Sequence, residues 1–75
     1  MNNCMYEVVR EYLNKNCFVE DFTLEYRSTN CAKSLDFAVN LSPRKNEQIS
    51  IVESDESTDE MLHHWIIKKN YKSKK

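Results

Sequence analysis

Leu35, Phe37, Val39 and Leu41 alternate with polar or small residues, which predicts a strand with one apolar face. Residues 42–47 interrupt the pattern with Ser, Pro, Arg, Lys, Asn and Glu. Ile49 and Ile51 then resume it, and Val52 adds a further apolar position. Two period-two runs joined by a short polar loop predict an antiparallel hairpin, with strands at about 34–42 and 48–53. Phe22, Leu24 and Tyr26 alternate with Thr23, Glu25 and Arg27, predicting an earlier strand at about 20–28.

The flanks follow a different period. Met5, Val8, Val9, Tyr12 and Leu13 fall at i, i+3, i+4, i+7 and i+8, predicting an amphipathic helix at about 3–15. Ser57-Thr58-Asp59-Glu60 matches a capping box, and Met61, Leu62, Trp65 and Ile66 form a stripe with Ile67 at its margin. These predict a second helix at about 58–70, followed by a basic tail at 71–75 that frays. The expected fold is α+β and two-layered: helix–strand–strand–strand–helix, an antiparallel three-stranded meander with both helices on one face. The other face would present Thr23, Glu25, Arg27, Asp36, Ala38, Asn40 and Ser50 to water.

Seventy-five residues fit a single domain spanning 1–75. A chain of this size buries only roughly 60–65% of the surface its unfolded form exposes. Forty per cent hydrophobic residues and eight aromatics nevertheless support a folded core rather than disorder. A net charge of −1 excludes a strong global attraction to nucleic acid or to an anionic membrane, leaving only local charge to attract either. No apolar run approaches the ~18–20 residues of a membrane span, and no signal peptide is expected from Met1-Asn2-Asn3. Cys4, Cys17 and Cys31 are odd in number and form no Cys-x-x-Cys pair, which points to a reducing, cytoplasmic setting. Glycine is absent, so no phosphate-cradling glycine loop exists, and positions with positive φ fall to the asparagines and aspartates.

Little here suggests catalysis. His63 and His64 are adjacent, and neighbours on a helix point about 100° apart, so the pair cannot chelate as an i, i+4 pair would. Neither a metal nor another cofactor is expected. Among the cysteines, Cys31, with Lys33 nearby, is the one whose setting hints at a thiolate. No serine, paired-acid or metal motif offers an alternative, and the expectation is a non-enzyme.

Charge is concentrated late in the chain. Glu53, Asp55, Glu56, Asp59 and Glu60 crowd the start of the expected second helix. Lys68, Lys69, Lys72, Lys74 and Lys75 crowd its end. This placement complements a helix dipole, which is its plain structural explanation. The functional reading is an acidic surface, extended by Glu20, Asp21, Glu25 and Asp36, that docks on a basic groove of a protein partner. The alternative is nucleic-acid contact through the lysines, weakening as salt rises. Trp65 is expected in the core, with Tyr6 and Tyr71 available for surface contacts. A three-stranded sheet also has two edges, through which a homodimer could pair.

The predicted element order resembles that of the double-stranded RNA-binding domain. That family opens its second helix with a phosphate-gripping lysine motif, where this chain reads Ser54-Asp55-Glu56-Ser57-Thr58-Asp59-Glu60. The resemblance thus implies a fold stripped of its RNA surface and turned to protein binding. The size, acidic patches and AT-rich codon usage implied by the composition also resemble some small phage-encoded anti-CRISPR proteins. That resemblance implies an inhibitor of a nucleic-acid-processing protein, with the acids from Glu53 to Glu60 as its contacts.

Overall fold

The apolar stripe at residues 5–13 can also be read as an alternation, and the chain uses it as one. A computed structural model describes residues 3–71 and contains β1 (Cys4–Leu13), β2 (Val19–Ser28), α1 (Cys31–Val39), β3 (Glu47–Asp55) and β4 (Met61–Asn70). The strands form one antiparallel sheet in the order β2-β1-β3-β4. α1 lies against one face of it.

The helix–strand–strand–strand–helix expectation is therefore overturned. Both expected helices are strands, and the expected strand at 34–42 is the helix. The topological resemblance to the double-stranded RNA-binding domain falls with that element order. The physical reasons are local. Tyr6, Val8, Val9 and Tyr12 are β-branched or aromatic, types that fit a pleated surface better than a helix. β1 lies between β2 and β3, so Val8, under α1, and Val9, among the side chains of the neighbouring strands, are both buried although they point in opposite directions. Trp65, Ile66 and Ile67 bias β4 the same way.

The helix obeys a stripe hidden under the alternation. Ser34, Phe37, Ala38 and Leu41 stand at i, i+3, i+4 and i+7. Ser34 and Ala38 are fully buried, and their small side chains let the helix approach the sheet closely. Asn30 caps the N-terminus, its side-chain oxygen accepting the Lys33 N–H at 3.0 Å. At the other end, the Lys68 ammonium donates to the Val39 and Leu41 carbonyls at 2.5 and 2.8 Å.

Turns without glycine are made, among the described residues, by three at positive φ: Cys17, Asn46 and Asp59. Asparagine and aspartate were the expected substitutes; the cysteine was not. Asn14 organises the β1–β2 turn rather than ending a helix, its Oδ1 accepting the N–H of Asn16 and of Phe18. The residues read as a capping box instead close the β3–β4 hairpin. There Asp55 accepts from the Ser57 N–H, the Ser57 hydroxyl and the Thr58 N–H.

The core between sheet and helix consists of Val8, Ala38, Ile49 and Ile51, with Tyr6, Tyr26, Phe37, Leu41 and Ile67 packed around it. Tyr26 stacks on Phe37 with ring centroids 4.5 Å apart. Beside this core, Arg10 joins three strands and a loop. Its guanidinium donates to Glu25 at 2.9 Å, to Glu47 at 2.8 Å and to the Ser42 carbonyl at 3.0 Å.

Candidate protein-binding face

One helix cannot cover two faces of a sheet. The side opposite α1 is left open, and strand alternation places Glu7, Val9, Glu11 and Leu13 of β1 there. The register adds Val52 and Ser50 from β3 and His64 and Ile66 from β4. Met61 stands at one end of the face and Phe22 and Leu24 on the far strand.

The expected polar outer face is corrected by one bulge. Val8 pairs with Tyr26 and Val9 with Leu24, so Glu25 is an extra residue in β2. The three alternating aromatic and apolar residues of β2 are thereby divided. Tyr26 turns toward the helix, while Phe22 and Leu24 turn to the open side and remain 63% and 48% exposed. Thr23 lies on the helix-bearing side with Arg10, and Glu25 reaches the same guanidinium. Ala38 belongs to the buried core and Ser50 is fully buried, so neither meets water. Met61, across the groove from Phe22, is 62% exposed, and Ile66, paired with Ser50, is 47% exposed.

A shallow groove of about 450 Å³ crosses this face, lined by Glu7, Val9, Glu11, Phe22, Val52, Met61 and His64. Glu11 forms its floor and is 9% exposed. It accepts hydrogen bonds from Gln48 Nε2 at 2.8 Å and from the Ser50 hydroxyl, and His64 Nε2 stands 3.1 Å from Oε2. Serine, carboxylate and histidine thus meet, but in the wrong order for acyl transfer. The carboxylate lies between the other two, so the imidazole has no contact with the hydroxyl it would need to activate. The network instead satisfies a carboxylate that the strand alternation has placed under apolar neighbours. Neither Glu11 nor Ser50 stood out in the sequence; the signal was polar residues at inward-alternating positions on adjoining strands.

The residues singled out from sequence do not share one surface. Glu53 is half-buried on the helix-bearing side, holding the Tyr6 hydroxyl at 3.0 Å and His63 Nδ1 at 2.7 Å. His63 leads the influences that keep the Glu53 carboxyl below the usual glutamate range, while Glu53 pushes the Tyr6 phenol up to about 12. Asp55 is engaged in its turn, and the Ser57 hydrogen bonds lower its pKa. Glu56, Asp59 and Glu60 are exposed at the same hairpin end. With no helix there, dipole compensation does not explain them. Glu25 faces Arg10, Asp36 lies exposed on α1, and Glu20 and Asp21 lie at the start of β2. Lys68 caps α1, Lys69 stands 5.9 Å from the Tyr71 ring centre, and Lys72, Lys74 and Lys75 lie outside the described residues.

Other candidates move as well. Trp65 is 43% exposed at the sheet edge, stacked on His63, rather than in the core. Tyr6 packs against the core rather than serving the surface, and the Tyr71 hydroxyl donates to Gln48. Cys31 is exposed at the start of α1, while a hydrogen bond with Glu53 pushes the Cys4 thiol up, away from the reactive thiolate. Among the described residues, no three histidine, cysteine or acidic side chains are grouped to hold a metal ion, and no helix is long and apolar enough to cross a membrane. No family model, no curated protein and no solved structure matches the chain.

Proposed function

We propose that this chain is a small, non-enzymatic, cytoplasmic protein-binding module whose working surface is the sheet face opposite α1. One observation carries the reading: Phe22 and Met61 stand exposed on either side of a groove whose floor is closed by a fully hydrogen-bonded network, with exposed Leu24 on the same strand and face as Phe22. Exposed apolar residues scattered singly need no explanation, whereas a contiguous patch on a folded chain is characteristic of an interaction site. Phe22 and Met61 are the kinds of side chain that anchor interfaces.

The test is a photoreactive phenylalanine at position 22, with position 35 on the exposed side of α1 as control. Protein adducts from position 22 that are absent from position 35 support the reading. Equal capture from both, or none from position 22, overturns it.

A second reading rests on the exposed acids of the β3–β4 turn. Glu56, Asp59 and Glu60 project at one end of a molecule 44 Å long, where they suit a basic partner such as a nucleic-acid-processing protein inhibited by an acidic plug. Reversing these three charges abolishes partner binding on this reading and leaves it intact on the first.

A further inference from the structure

We infer that the occupant of the open face is a second copy of this chain, the two sheets packing face to face into a sandwich with the α1 helices outside. This rests on the reading of that face as a protein-binding surface and names its partner.

The first argument is size. Four strands about 4.8 Å apart and about ten residues long at ~3.3 Å each present roughly 600 Å². Two copies therefore bury about 1,200 Å², the lower bound of stable specific interfaces and well above most lattice contacts. A single nine-residue helix already occupies the other side.

The second argument is charge. Glu7 stands 3.5 Å from Arg27, and Glu11 is 3.1 Å from His64. Glu7 is thus paired with a cation, and the Glu11 oxygens are taken up by Gln48, Ser50 and His64 of the same chain. A face so matched neither selects a strongly charged partner nor repels its own copy. Lys69, opposite Gln48, stands at a corner.

The third argument is shape. β1 and β3 pair across nine positions without a register shift, giving a regular sheet centre. The four register shifts of the sheet lie in its outer pairings, two in β1–β2 and two in β3–β4. Two such centres stack at ~10 Å in the aligned packing of sandwiches, with Val9 and Val52 meeting about a two-fold axis. Phe22 and Met61, on opposite sides of the groove, then close over the partner's edges.

Mass measured by light scattering across a concentration series tests this directly. The expected value is twice the 9.0 kDa chain mass, falling to 9.0 kDa on dilution. Phe22→Glu combined with Leu24→Glu should hold the protein at the single-chain mass, with its far-ultraviolet circular dichroism unchanged because both side chains are exposed in the folded chain. Leu35→Glu, on the helix side, should leave the dimer intact. A wild-type protein that stays at 9.0 kDa throughout overturns the inference, as does a dimer that persists in the Phe22/Leu24 variant, which would mean pairing through a sheet edge. Unfolding of the double variant is addressed by Met61→Lys alone, expected to weaken association at least tenfold. Association unchanged in a folded Met61→Lys protein overturns the face-to-face arrangement. A monomeric wild type that still gives position-22 adducts with another protein refutes only the self-association. One that gives none refutes the binding face as well.

Discussion

Replacing Arg10 with alanine probes the junction that holds the sheet together. The side chain is 11% exposed and meets Glu47, itself 7% exposed, at 2.8 Å, and Glu25, 25% exposed, at 2.9 Å. Burial alone would raise the Glu47 carboxyl, but the Arg44 N–H and the Arg10 guanidinium outweigh it and hold it below the usual glutamate range. Without Arg10, Glu47 retains the Arg44 N–H and, 3.5 Å away, the exposed Arg44 guanidinium, but loses its buried counter-charge. Breaking one side of such a pair costs about 3–5 kcal/mol. Glu25 can hydrate, so its lost partner adds only about 0.2–1 kcal/mol. The loss is large against the ~4–11 kcal/mol expected for a domain of this size. Urea unfolding at fixed protein concentration, followed by Trp65 fluorescence, measures it. The pairing is tested by Arg10→Met with Glu47→Gln, which removes both charges and should recover about 2 kcal/mol or more of the loss. A cost below about 1 kcal/mol for Arg10→Ala, or strictly additive single changes, would refute the buried-pair argument.

Other consequences follow from the same contacts. Tyr6 has a folded pKa raised to about 12 because its hydroxyl donates to Glu53. Its contribution to stability is complete below the ordinary tyrosine pKa of about 10 and disappears as pH rises through 12. Tyrosinate absorbance should show that late step, and Tyr6→Phe should remove it. Glu47 and Glu53 have lowered values, so their contributions are present above the ordinary glutamate pKa of about 4.3 and are lost as pH falls through the lowered ones. Acid unfolding should accordingly begin below about pH 4; an onset near neutrality would contradict these environments. Lys68→Met removes the cation from the C-terminal carbonyls of α1 and should destabilise by about 1 kcal/mol, with faster amide exchange confined to α1. Exchange that accelerates evenly over the sheet would argue against a local capping role.

The sequence was readable where one period applied and one face was apolar. β2 and β3 lie within two residues of their expected positions, because each alternates without a competing helical pattern. β1 was misread because its central positions are buried on both faces of the sheet, and adjacent Val8 and Val9 imitate a helical stripe. In α1 the reverse happened: Leu35 and Val39 are nearly half-exposed, and they supplied an alternation that packing does not use. The candidate face was hidden by the Glu25 bulge. No rule of alternation shows that Leu24 and Tyr26 point to opposite sides when one extra residue stands between them. Glu11 and Ser50 were invisible for a related reason, since their partners come from strands 37 to 53 residues away in sequence.

The central claim is that the face opposite α1 is covered by protein when the chain is at work. Met61 reports on it most directly, because 62% of its surface is exposed in the isolated chain and thioether oxidation follows access. Hydroxyl-radical footprinting, which oxidises both thioether and indole side chains and is read by mass spectrometry, would compare cells producing the protein with dilute purified chain. Oxidation of Met61 suppressed in cells and rapid in the dilute protein, with Trp65 at the sheet edge oxidised alike in both, is the predicted result. Equal oxidation of Met61 in both would leave the face bare and contradict the account.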